Sequence, residues 1–168
     1  KTAKERSIVL KIWHDLILEN IDDLAHIMTV EQGKPLAEAK GEILMGTTYI
    51  EFYAEEAKRV YGDIIPDPLP DRRIVVIKQP VGVIGAITPW NFPFSLTISP
   101  LACAIAAGNC AVIKPSELTP HSAALMAQMV SDLFENNEVA LFEGDATVAE
   151  ALLDKPFHHI FFTGSPKI

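Results

Sequence analysis

The first sixty residues carry apolar positions at helical spacing. Ile8, Ile12 and Leu16 recur every four residues, with Val9 and Trp13 beside them, which predicts an amphipathic helix whose buried row they form. Asn20 or Asp22 is placed to cap a second helix carrying Leu24, Ile27 and Met28. Gly33-Lys34-Pro35 ends that helix and sets up a third, longer one. There Ile43, Thr47, Ile50, Ala54 and Ala57 keep a three-four spacing, and Glu38, Glu42, Glu51, Glu55 and Glu56 are expected to supply the polar face. From Gly62 to Pro80 the pattern changes. Pro66, Pro68 and Pro70 punctuate a loop, and Arg73 to Lys78 reads as a strand. The two stretches suit a hairpin whose first arm the prolines confine to an edge.

After Pro80 the pattern becomes regular. Strands are predicted at residues 81–87, 110–114, 139–142 and 159–162. Helices are predicted between them at 96–107, closed by Gly108, at 121–134 and at 146–153. Alternation of this kind, with nearly continuous apolar strands, implies a parallel sheet covered by helices. The expected fold is therefore α/β: an incomplete Rossmann-like parallel sheet with helices on both faces, preceded by the amino-terminal helices and an extended arm at 61–80. The chain has no internal repeat and no low-complexity tract.

Composition narrows the picture. A chain of 168 residues that is 49% hydrophobic has enough apolar material for one domain or one and a half, and it is not a disordered sequence. A net charge of -8 argues against a broad phosphate-binding surface and hence against nucleic acid as a partner. Cys103 and Cys110 both lie in apolar surroundings; they read as core residues, and two cysteines make no disulfide framework, so a reducing, cytoplasmic location is expected. No apolar run is long enough for a membrane span, and no signal peptide is evident. The chain begins without methionine near the start of a helical pattern and stops just past a strand and a Gly-Ser turn, so both ends are expected to be cuts in a longer protein.

In an open α/β sheet, ligands gather at the carboxyl ends of the strands. The first predicted strand runs into Thr88-Pro89-Trp90-Asn91-Phe92-Pro93, the second into Lys114-Pro115-Ser116-Glu117, and the fourth into Thr163-Gly164-Ser165. Glu117 stands where dinucleotide folds place an acceptor for ribose hydroxyls, with Lys114 in reach of the same ribose. It reads equally well as a helix N-terminal glutamate favoured by the helix dipole. Gly164-Ser165 suits a helix start that faces a pyrophosphate, although a Gly-Ser after a strand is common. Asn91 follows a proline-flanked turn, where its amide N–H is placed to stabilise an oxyanion; a plain turn asparagine is the other reading. Gly82 and Gly85 lie inside the first strand and mark close packing, not a phosphate loop, and G-x-G-x-x-G is absent. His158 and His159 lack a partner at metal-ligand spacing, so no metal site is expected; His14, His26 and His121 read as surface or helix-cap residues.

Four segments together resemble the aldehyde dehydrogenase superfamily, in the family's order and over nearly the whole chain. They are Glu31-Gln32-Gly33-Lys34-Pro35-Leu36 with Glu38-Ala39, the run from Pro80 to Pro93, the run from Ala107 to Pro120, and Phe162-Thr163-Gly164-Ser165. The resemblance implies NAD or NADP as cofactor and an aldehyde as substrate, oxidised to a carboxylic acid. It implies that Asn91 is the side-chain donor of an oxyanion hole, and that Thr88 and Trp90 form the backbone and wall of a nicotinamide-side cleft. Lys114 and Glu117 would contact the adenosine ribose, with Lys114 and Ser116 able to tolerate a 2′-phosphate. Gly164 and Ser165 would meet the pyrophosphate. Residues 1–60 and 81–168 would then form an NAD(P)-binding domain and 61–80 an oligomerisation hairpin of a homodimer or homotetramer. The catalytic domain would lie outside this chain.

The family's nucleophilic cysteine and its Glu-Leu-Gly-Gly general-base motif have no counterpart here, and neither Cys103 nor Cys110 matches the nucleophile motif. An apolar site raises a thiol's pKa and does not activate it. The front half is similar to succinate-semialdehyde members, whereas residues 136–145 and 157–166 look more like the fatty-aldehyde and coniferyl-aldehyde branch. The competing readings are a non-catalytic dinucleotide-binding or scaffolding protein and an acylating dehydrogenase that passes the acyl group to coenzyme A.

Overall fold

The computed structural model describes residues 1–168. Three helices come first: α1 (Ala3–Glu19), α2 (Ile21–Gln32) and α3 (Leu36–Glu56). A reciprocal cap starts α1, with Thr2 Oγ1 accepting from Glu5 N at 3.3 Å and the Glu5 carboxylate accepting from Thr2 N at 2.6 Å. The buried row of α1 is Val9, Leu10, Trp13 and Ile17; of the positions predicted for this helix Val9 and Trp13 are buried, whereas Ile8 and Ile12 are 47% and 51% exposed. Both rows have four-residue spacing. The row holding Trp13 removes the larger apolar area from water, and Trp13 meets the Phe134 ring edge-on, centroids 6.0 Å apart. Asn20 occupies the position before α2, but its amide donates back to Leu16 O at 2.8 Å and neither it nor Asp22 supplies a side-chain cap. Gly33 ends α2 with φ 75°, a left-handed turn that glycine adopts without strain. In α3 the predicted row is buried as expected, but so is Glu42, which the sequence pattern assigns to the polar face.

A hairpin follows. β1 (Asp63–Pro66) and β2 (Arg73–Val76) pair antiparallel, Asp63 opposite Val76 and Pro66 opposite Arg73, and every residue of both is exposed.

The remaining elements are β3 (Val83–Ile87), α4 (Ser95–Ala106), β4 (Cys110–Lys114), α5 (Pro120–Leu133), β5 (Val139–Leu141), α6 (Ala146–Leu153) and β6 (His159–Phe162). The four strands form one parallel sheet in the order β5-β4-β3-β6. Numbered from β3, that order is 3-2-1-4, the first part of the doubly wound arrangement, and its direction reverses between β3 and β6. Ile84, Ala86, Ala111, Ile113 and Val139 of the sheet join one core with α4, α5 and the three amino-terminal helices. On the other face Gly85, Val112 and Ile160 meet Leu152 and Leu153 of α6 and the Phe157 ring. β3 starts two residues later than predicted because Gly82, at φ 127°, lies against His158; a Cβ there would sit 2.6 Å from the His158 ring. Gly85 is also tightly packed, though less so: a Cβ there would sit 3.2 Å from the Phe157 ring. Close packing is thus the role of both glycines.

The helical layer is also tied to the sheet's helices by side chains. The Glu31 carboxylate, at the end of α2, accepts from His121 N at 2.5 Å, Ser122 N at 3.1 Å and Ser122 Oγ at 2.6 Å. It therefore caps α5 from another element. Glu31→Ala is expected to lower unfolding free energy by about 1 kcal/mol, the usual effect of losing a helix cap. A denaturant midpoint unchanged by the substitution would contradict this.

Candidate active site

Three connections leave the sheet at the same level. Ile87, Lys114 and Phe162 are mutually in register, so residues 88–94, 115–119 and 163–165 all start from one line across the carboxyl ends of β4, β3 and β6. At about 4.8 Å per strand, that line is roughly 10 Å long. The break in strand order lies within it, where a crevice is expected. An open cleft of about 340 Å³ occupies that place, lined by Pro89, Trp90, Asn91, Leu96, Thr163, Gly164 and Ser165.

The residues singled out in the sequence do not all face this cleft. Asn91 is exposed and its side-chain amide has no partner in the chain, while Trp90 is about half exposed beside it. Thr88 is buried, and its Oγ1 shares a hydrogen bond of 3.0 Å with Thr97 Oγ1, so its side chain is committed between sheet and α4. Thr163 N extends the β3–β6 pairing by donating to Ile87 O at 3.1 Å, which fixes where the Gly164-Ser165 turn begins.

Lys114, Ser116 and Glu117 lie on the far side of β3 from β6. Lys114 is buried, and its Nζ donates to Glu117 Oε2 at 2.8 Å, leaving the carboxylate 44% exposed. This hydrogen bond is the main reason that the Glu117 carboxyl is held below the usual carboxylate range. Ser116 is buried, its Oγ accepting from Leu118 N at 3.2 Å to close the turn.

Residues 88–94 have no regular structure of their own, and Pro89 and Pro93 remove two backbone donors from them. They are held from outside. Lys34 Nζ donates to Asn91 O at 2.9 Å, lies 4.3 Å over the Phe92 ring, and pairs with the Glu42 carboxylate. Glu42 Oε1 accepts from Phe94 N at 3.0 Å and Ser95 N at 3.2 Å, satisfying the first donors of α4 with a charge at its positive end. The sequence pattern hides these roles, since Glu42 reads as solvated and Lys34 as part of a turn. The signal is positional: Glu42 lies three residues after Ala39 and four before Gly46, both of which pack against neighbours.

Cys103 is not the core residue that its apolar neighbours suggest. α4 buries Ala102, Ala104, Ile105 and Ala106 and turns Cys103 outward, against Tyr53, into a second cleft with Pro100, His159 and Phe161. The Cys103 thiol beside it, with burial, raises the Tyr53 pKa. Eight residues along the helix put Cys103 about 12 Å from Ser95, away from Asn91. Cys110 is partly buried and opens β4 at the opposite end of the sheet.

The description "Aldehyde dehydrogenase family" fits residues 1–168 as a family model. Succinate semialdehyde dehydrogenase of Acinetobacter baylyi is 51% identical over 100% of this chain and 35% of its own length. An Escherichia coli succinate-semialdehyde dehydrogenase named for NADP(+) is 54% identical over 76% of this chain and 27% of its own length. The crystal structure of an aldehyde dehydrogenase from Brucella melitensis biovar abortus 2308 superposes with a TM-score of 0.93 at 46% identity, over 99% of this chain and 35% of that one. The chain thus spans about a third of the length of the relatives it matches. The Acinetobacter match runs through residues 136–168 too. No helix is long and apolar enough to cross a membrane.

The Lys114–Glu117 pair sets a pH dependence. Pairing favours the charged carboxylate, so its stabilising effect is present above the unfolded pKa of glutamate and is lost as pH falls through the depressed folded value. A side-chain titration should find Glu117 below the ordinary carboxylate range and return it to that range in Lys114→Met. Equal midpoints in both proteins would remove Lys114 as the cause.

Proposed function

This chain belongs to the aldehyde dehydrogenase family, and we propose that it is the amino-terminal third of an enzyme that oxidises an aldehyde to the carboxylic acid with NAD or NADP. Relatives named for succinate semialdehyde favour a short semialdehyde as substrate. Residues 1–60 and 81–168 act as the NAD(P)-binding domain. Residues 61–80, whose hairpin strands are fully exposed, act as the arm of a homo-oligomer. Unpaired cysteines favour a reducing compartment, the cytoplasm. The observation that carries the reading is the line-up of three polar connections along one sheet edge at its topological switch point.

The residues present fit a dinucleotide. Glu117 offers acceptor oxygens for ribose hydroxyls, and Lys114 and Ser116 beside it temper the repulsion that a 2′-phosphate would meet, which accommodates both cofactors. The helices α4, α5 and α6 have carboxylates of the chain itself at their first N–H groups, from Glu42, Glu31 and Asp145. The turn at Gly164 and Ser165 has none, and its backbone donors are the ones left for a pyrophosphate. When bound, the nicotinamide supplies the hydride acceptor. Trp90 walls the cleft on that side, with Thr88 buried behind the turn that carries it.

Asn91 carries the chemistry that this chain contributes. As a nucleophile adds to an aldehyde carbonyl, negative charge grows on the oxygen. A fixed amide N–H aimed at that oxygen lowers the barrier because it binds the developing charge more tightly than the neutral carbonyl. The nucleophile comes from outside residues 1–168, since neither cysteine lies at the cleft. In the full-length enzyme Asn91→Ala should lower kcat by about 10²–10³-fold with little change in cofactor affinity, the effect of losing one oxyanion donor. Normal turnover in that variant, or NADH formation by residues 1–168 alone, would overturn the assignment.

A further inference from the structure

An oxyanion donor works only if its N–H is held where the charge develops, and a displacement of 1 Å costs on the order of 10²-fold in rate. Asn91 stands in a loop without regular structure. One ion pair from another layer grips that loop at Asn91 and at the residues that follow it. The Lys34 ammonium holds the carbonyl of Asn91 itself and covers the Phe92 ring. Its partner, the Glu42 carboxylate, is 1% exposed and holds the N–H groups of Phe94 and Ser95.

Because ammonium and carboxylate also hold each other, the grip is one connected unit. It runs from the left-handed Gly33 turn and from α3, across to both ends of a five-residue segment. Neither side chain lines the cleft that Asn91 faces.

We propose that Lys34 and Glu42 are positioning residues for the Asn91 amide: they act on catalysis through the backbone of residues 91–95, without touching aldehyde or cofactor. The proposal rests on Asn91 being the oxyanion donor. A merely structural pair would lower stability alone. A positioning pair lowers kcat through Asn91.

The test is a double-mutant cycle in the full-length enzyme with kcat, aldehyde KM, cofactor Kd and thermal midpoint measured for each protein. Lys34→Met should lower kcat on the order of 10²-fold, with KM and Kd within about twofold, and Lys34→Arg, which keeps a cation, should recover part of the loss. In an Asn91→Ala background Lys34→Met should cost nothing further, because two groups that act as a unit are not additive. Should Lys34→Met fail to fold through the stranded Glu42 charge, Lys34→Met with Glu42→Gln takes its place in the cycle, keeping an amide oxygen for the two N–H groups. A full additional loss in the Asn91→Ala background, or normal kcat in the Lys34 variants, would overturn the proposal while leaving Asn91 as donor. Normal kcat in Asn91→Ala would instead overturn the reading beneath it.

Discussion

A carboxylate taken out of water has to be paired, and the partners of Glu42 determine where the loop after β3 lies. An isolated charge in a protein interior is too costly to persist. Glu42 is compensated by one ammonium and two backbone N–H groups, and all three belong to segments that the site needs in place. Removing one partner of such a pair typically costs about 3–5 kcal/mol, mostly from the charge left behind. The arrangement is therefore held by a penalty for leaving it. The amino-terminal helices, which could be read as a cover for the sheet, are the structure that holds Asn91.

The same economy of charge shapes the rest of the carboxyl edge. Helix N-termini attract anions, and a sheet with helices after each strand offers several. In this chain Glu42 fills the start of α4, Glu31 the start of α5 and Asp145 the start of α6. Glu31 lies just before the Gly33 turn and Glu42 is paired with Lys34 just after it, so one corner of the helical layer closes two potential anion sites at once. In the proposed dinucleotide site, this leaves fewer helix starts open to a phosphate. The turn at Gly164 is the one proposed for the pyrophosphate, while Lys114 places one buried cation beside the other end of the cleft line.

Much of this was legible in the sequence. The strand Cys110–Lys114 is apolar up to its final lysine, the pattern of a parallel sheet covered by helices, and the polar residues after such strands fall at strand ends by counting alone. The parts that escaped depend on contacts between distant segments. α1 carries two apolar rows with the same spacing, and periodicity cannot choose between Ile8–Ile12 and Val9–Trp13 until α3 and α4 are present. Glu42 meets N–H groups 52 and 53 residues away, so no local pattern marks it as buried. Cys103 sits among alanines and isoleucines, yet α4 turns that one position outward.

Amide hydrogen exchange in the full-length enzyme measures the grip on the loop without reference to turnover. Replacing Lys34 by methionine should speed exchange at Phe94, Ser95 and Leu96 at least tenfold, a loss of about 1.4 kcal/mol or more of local stability, while β4, on the far side of β3, is affected less than these three amides. Identical protection of these three amides in both proteins, or a uniform rise across the whole sheet, would contradict a loop held in place by Lys34 and Glu42.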